Sequence, residues 1–138
     1  MANAVYPLAK EHFGLGEIAW VADTIRVAML DSSYTYSAAD EFFTAVSSAV
    51  VGTPVDLASK TVSLGVFDAA DISFTTVPDA ITVSYLVIYK WTGSAATSAL
   101  ICYIDNATGL PFVGQGVAQG VSWDSNAGSK IFAWGDDC

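Results

Sequence analysis

The stretch whose reading decides the fold is Ile81-Thr82-Val83-Ser84-Tyr85-Leu86-Val87-Ile88-Tyr89-Lys90-Trp91. A polar loop, Thr92-Gly93-Ser94-Ala95-Ala96-Thr97-Ser98, separates it from a second apolar run, Leu100-Ile101-Cys102-Tyr103-Ile104. Two runs rich in β-branched and aromatic residues, joined by a short glycine-containing loop, predict paired antiparallel strands. Residues 85–89 are apolar at odd and even positions alike. A strand that is apolar on both faces must be covered on both, which places Ile81–Trp91 in the middle of its sheet.

Upstream, Ile25-Arg26-Val27-Ala28-Met29-Leu30 reads as a strand with Ile25, Val27 and Met29 on one face. Residues 5–15 read as a short helix: Pro7 suits the first turn, Leu8 and His12 stand at i and i+4, and Gly14 and Gly16 stop it. A second helix is expected from Ser37, which can cap, through Asp40, Glu41, Phe42, Phe43 and Val46 to about Ser47. Residues 55–77 alternate, with Val62, Leu64 and Val66 on one face and Gly65 as a bulge or close approach. Phe67–Asp71 is expected to be a connector and Ile72–Val77 a strand that Pro78-Asp79 ends.

Downstream, Gly109–Gly120 is a connection. Val121-Ser122-Trp123 and Lys130–Trp134 are expected to form a hairpin around Asp124–Gly128. The sum is a mainly β chain: an antiparallel β-sandwich or barrel-like domain with one or two short N-terminal helices. Residues 1–138 make a single domain of ordinary size.

Charged residues are only 14% of the chain against 53% hydrophobic, so few charges are available to cover its surface. Some apolar surface is therefore expected to meet a partner. The formal charge of −9 and five dispersed cations (Lys10, Arg26, Lys60, Lys90, Lys130) argue against nucleic acid and against an anionic membrane. No apolar segment is long enough to span a bilayer as a helix. The N-terminal residues lack the basic and apolar regions of a signal peptide, so synthesis and retention in the cytoplasm are expected. Cys102 lies within a strand pattern and reads as a small buried apolar residue. Cys138 ends the sequence, and a cytosolic product does not favour a disulfide between them.

Catalysis finds little to work with. His12 is the one histidine, so any Ser-His-Asp or Cys-His arrangement would have to use it. Zinc and EF-hand spacings are missing. The carboxylate pairs Asp40-Glu41, Asp68/Asp71 and Asp136-Asp137 read as helix start, turn and tail. A glycosidase would need two of them across a cleft, and Asp68/Asp71 would at most attract an adventitious Ca²⁺. Gly114-Gln115-Gly116 with Gly120 lacks the Lys-Ser/Thr of a phosphate loop and reads as a flexible connection. Asn106-Ala107-Thr108 matches a glycosylation sequon but reads as a turn. Trp20, Trp91, Trp123 and Trp134 offer either a sugar-binding face or packing in the core and at interfaces. No catalytic residue, cofactor or metal is expected.

The order Asp23-Thr24-Ile25-Arg26-Val27, Tyr34-Thr35-Tyr36-Ser37-Ala38-Ala39-Asp40-Glu41-Phe42, Lys60-Thr61 and Asp71-Ile72-Ser73-Phe74 resembles a family of small tailed-bacteriophage proteins. The resemblance continues through Leu86–Lys90, Thr92-Gly93, Thr97-Ser98, Tyr103-Ile104-Asp105, Ala107–Pro111, Trp123-Asp124 and Lys130-Ile131-Phe132, covering nearly the whole chain. The ending Ala133–Cys138 runs longer than the family pattern. The resemblance implies a virion structural protein and no enzyme. A capsid decoration (cement) protein on the head exterior fits best, with a tail or head-fibre component and a carbohydrate-binding module as the other readings. The implied partners are the major capsid protein and copies of the chain itself, as a trimer or small cluster. Residues 1–20 carry Val5, Tyr6, Leu8, Phe13, Ile18 and Trp20, an apolar set that must dock either on its own domain or, as an attachment segment, on the shell or a neighbouring copy.

Overall fold

The computed structural model describes residues 3–105, 109–123 and 131–133. In chain order its elements are β1 (Ala4–Val5), α1 (Pro7–Gly14), β2 (Ile25–Leu30), β3 (Val50–Asp56), β4 (Thr61–Ser63), β5 (Val66–Asp68), β6 (Ile72–Phe74), β7 (Thr82–Val83), β8 (Tyr85–Lys90), β9 (Leu100–Ile104), β10 (Phe112–Val113), β11 (Gln119–Val121) and β12 (Phe132–Ala133). Short 3-10 turns occupy Phe43–Ala45, Ser47–Ala49 and Ala95–Thr97. The fold is mainly β and antiparallel, sandwich-like, with one short N-terminal α-helix.

Five strands form the principal sheet in the order β1-β9-β8-β2-β3. The apolar run of β8 lies at its centre as expected: Leu86, Val87, Ile88 and Tyr89 are all buried. Its neighbours β2 and β9 are equally apolar, and in β9 every residue is buried. The register puts Val87 and Tyr89 on one face with Ala28 and Tyr103. Phe43 roofs that face, stacked on Tyr89 at 4.1 Å between ring centroids, and Tyr34 and Tyr36 lie against Tyr103. Leu86 and Ile88 share the other face with Val27 and Met29.

Helix α1 begins with Pro7 and ends before Gly16, whose φ of +77° is the left-handed conformation that closes the helix. Ala4–Val5 pairs with β9, the Tyr6 amide donates to the Ile101 carbonyl, and Tyr6 and Ala9 are wholly buried. Ile18 and Trp20 are buried too. Much of the N-terminal apolar set thus docks on the chain's own sheet.

Several local expectations are corrected. Ile81–Trp91 is two strands, not one. Ala80 and Ile81 exchange backbone hydrogen bonds with Gly114, and β7 pairs with β10, whereas the Ser84 amide bonds Leu30 and β8 enters the principal sheet. The α-helix over Ser37–Ser47 is absent. Glu41 and Phe43 bond backbone groups of Leu100 and Ser98, and Phe42 bridges to Ala99, so this stretch is drawn out beside β9 and only 3-10 turns follow. Strand β3 begins at Val50, ahead of the alternation that starts at 55.

Gly65 is not a bulge, and Phe67 is not in a connector. Leu64 and Gly65 are the two-residue turn of a β4–β5 hairpin. The two halves of the expected C-terminal hairpin pair elsewhere: β11 with β6 and β12 with β5. Gly114-Gln115-Gly116 is a close-packed crossing rather than a loose connection. A Cβ on Gly114 would stand 2.0 Å from the Pro78 carbonyl oxygen, so only glycine fits there. The readings placed on Asn106-Ala107-Thr108, Asp124–Gly128, Lys130, Trp134, Asp136-Asp137 and Cys138 lie outside the described residues.

Candidate interaction surface

Among the described residues, the histidine, the cysteine and the carboxylates singled out from the sequence are engaged within the fold. His12 stands on α1 with Nε2 2.9 Å from Glu41 Oε1 and Nδ1 3.2 Å from Glu17 Oε1. A neutral imidazole carries one N–H, so both contacts are hydrogen bonds only when the ring is imidazolium. The Phe42 ring is a further neighbour, at 5.9 Å. This cluster ties α1 to the loop that follows it and to the segment entering the first 3-10 turn. Cys102 is buried, and burial pushes its thiol up to about 12, leaving it a packing residue. Among the described residues no three His, Cys, Asp or Glu side chains gather as metal ligands would.

The carboxylates expected at turns serve structure. Asp40 Oδ2 accepts the Tyr34 hydroxyl at 2.7 Å, and the Asp71 carboxylate accepts the Trp123 amide at 2.9 Å. Because Tyr34 donates to Asp40, the 2.9 Å contact between Tyr6 and Tyr34 has Tyr6 as donor. The chain Tyr6–Tyr34–Asp40 fastens the N-terminus to the 34–40 loop. Its hydroxyls sit in an apolar surround. Burial pushes Tyr34 up to about 12 and raises Tyr6 and Tyr103 further, and Tyr89 also reaches about 12.

These shifts predict alkaline unfolding. In the unfolded chain the thiol ionises near 9 and the phenols near 10, while the folded state keeps them protonated. Above these values the unfolded state binds fewer protons, so stability is complete below about pH 9 and falls steadily towards about pH 12. Urea midpoints measured across this range should fall. A flat profile would mean that these hydroxyls are not buried as described.

The three described tryptophans are tied into the fold. Trp20 is buried and its Nε1–H donates to the Asp68 carbonyl. Trp91 carries the Arg26 guanidinium 4.7 Å over its ring, and the Trp123 indole N–H donates to the Ala70 carbonyl. Arg26 itself pairs with Asp56 at 2.5 Å.

Part of what the fold leaves outward is apolar. The exposed large hydrophobics among the described residues are Leu15, Val21, Val62, Leu64, Ile81, Val113 and Val117. They fall into two groups. Ile81, Val113 and Val117 surround the Pro78–Ala80 turn, where Val117 accepts the Val77 amide. The other four lie on segments that meet at Phe67. That ring packs edge-on against Phe13 and Trp20, each at 5.5 Å, and Val62 pairs with Phe67 across the hairpin. The Lys60 ammonium donates to the Asp23 carbonyl, which ties the end of the 15–23 loop to the start of the hairpin, while Lys90 at the end of β8 donates to the Glu17 carbonyl at 2.6 Å and pairs with the Asp23 carboxylate at 3.2 Å.

Leu64 is the outstanding residue of this group. It is fully exposed and has φ +51°, followed by Gly65 at +76°. Two positive φ values in a two-residue loop mark a type I′ turn, which favours Asn-Gly. A leucine there carries backbone strain of about 1 kcal/mol with no burial to offset it. Sequence reading placed Leu64 inside a strand. The available signal was Leu-Gly between two short β-branched runs, which the usual Asn-Gly signature does not capture.

No protein-family model matches the chain, and no curated protein matches it significantly.

Proposed function

We propose that this chain is a structural virion protein of a tailed bacteriophage, a capsid decoration protein on the head exterior. The observation that carries the reading is the exposed apolar corner around Leu64 on an otherwise acidic β-domain, a form suited to holding a partner rather than to turning over a substrate. The family resemblance supplies the virion setting. The charge of −9 favours a position outside the shell over one facing packaged DNA. Repetition over a symmetric shell lets a small contact add up. The carbohydrate-binding alternative has less support, because Trp20 is buried and Arg26 already occupies a face of Trp91.

Purified virions test this. The chain should co-purify with particles, in proportion to the shell protein, and appear as outward density on the head. Copies confined to one end of the particle would make it a tail or head-fibre component. Absence from particles would end the virion reading.

A further inference from the structure

We propose that the N-terminal segment 3–13 exchanges between copies of this chain, so that in a two-fold dimer each copy's β1 and α1 complete the other copy's principal sheet. The partner is a second copy, and the proposal stands independently of the virion reading.

Three observations carry it. The first is mutual dependence. β1 has two residues and α1 eight, with no side-chain bond capping the helix at Tyr6. A helix of that length does not hold in water by itself. Tyr6 and Ala9 are wholly buried and need the surface they lie on. For its part, β9 is buried at all five residues and takes β1 as its outer partner. An uncovered edge of that kind pairs with another strand. A segment and an edge that need each other find the same fit on a second copy.

The second is the connection. Residues 14–17 are exposed throughout, two of the four are glycine, and a Cβ on Gly14 or Gly16 would meet nothing within 4 Å. Beyond them the body holds its own end: Ile18 is buried, and Lys90 bonds the Glu17 carbonyl. Local contacts close the turn. The amides of Leu15, Gly16 and Glu17 donate to the Glu11, Phe13 and His12 carbonyls, and His12 Nδ1 lies beside Glu17. Straightened, these four residues span roughly 13 Å.

The third is what exchange keeps. Ala4 and Val5 pair with Tyr103 and Cys102, Tyr6 bonds Ile101 and Tyr34, His12 bonds Glu41, and Phe13 packs on Phe67. All these partners lie beyond the connection, so each contact re-forms on a second copy, while the exposed turn and the His12–Glu17 contact are given up. A partner on a short tether competes at an effective concentration on the order of millimolar, so exchange rivals closure at about that concentration.

The native Cys102 supplies the test. Because the Tyr6 amide bonds the Ile101 carbonyl, the adjacent Val5–Cys102 pair is of the non-hydrogen-bonded kind. Such pairs stand about 4.5 Å apart at Cα, within reach of a disulfide. The full-length chain carrying Val5→Cys and Cys138→Ser is unfolded, then refolded in a glutathione redox buffer at several concentrations. Closure links residues 5 and 102 within one chain, and exchange links them between two. Non-reducing gels should show nearly all monomer at about 1 µM and roughly half or more covalent dimer at about 1 mM. Mass spectrometry of the dimer should find residue 5 joined to residue 102. A second chain, lacking Leu15 and Gly16, loses the turn that folds α1 back and should be a dimer that melts cooperatively.

Monomer at every concentration overturns the exchange, as do dimers joined 5 to 5 or 102 to 102. A shortened chain that folds as a monomer, or stays unfolded at every concentration, overturns it too. None of these results touches the virion reading, which particle composition decides.

Discussion

Val87→Asp should abolish the native fold or lower its stability by roughly 4–5 kcal/mol, against the 5–15 kcal/mol that holds a typical domain together. Val87 is wholly buried in the central strand, opposite Ala28 on one side and Tyr103 on the other. A carboxylate there loses its hydration and meets apolar side chains, and no cation is among those cross-strand neighbours. The shorter Val87→Thr change keeps the shape and adds one hydroxyl, at a cost of about 1–3 kcal/mol. Val117→Asp at the surface should lie within about 0.5 kcal/mol of wild type. Urea unfolding of the three variants checks the order. A Val87→Asp protein with a wild-type midpoint would show that β8 is not the sheet's covered centre.

Removal of residues 2–16 should eliminate cooperative melting. The deletion takes away β1 and with it the outer partner of β9. It also takes the wholly buried Tyr6 and Ala9, the hydrogen-bonded chain from Tyr6 to Asp40, and the His12 contact to Glu41. Losing one fully buried large aromatic side chain costs about 3–5 kcal/mol by itself. The exposed β9 edge that remains, all five residues apolar, would invite aggregation. Addition of the 2–16 peptide in trans should restore part of the folded signal. A truncated chain that melts cooperatively within a few degrees of wild type would mean that the segment is an appendage, free to serve attachment.

The central pair β8–β9, the strand β2 and the helix α1 were legible in the sequence because their causes are local. Two-faced apolarity at Tyr85–Tyr89 can be satisfied only by burial, and Pro7 with Gly16 punctuates a helix wherever it lies. The burial of Cys102 followed from its strand neighbours in the same way. The elements that escaped are those where a distant backbone decides. Phe42 and Phe43 carry a plausible helical pattern, yet the Leu100 amide bonds the Glu41 carbonyl and the Phe43 amide bonds the Ser98 carbonyl, so Phe42 is extended and only a 3-10 turn starts at Phe43. Ser84 interrupts a continuous apolar run because Gly114 claims the residues before it and Leu30 the residue itself.

For the candidate surface, the sequence by itself determined the acidity, the scarcity of charge and the surplus of apolar residues, which follow from composition. Only tertiary structure decided which of those residues remain outside. Tyr6, Ile18 and Trp20 are consumed by the core, while Leu15, Val21 and Leu64 are left in solvent. The sequence places all of them in similar apolar surroundings. Their fates differ because burial depends on which surface the sheet offers to each side chain, and that surface is assembled from strands far apart in the chain.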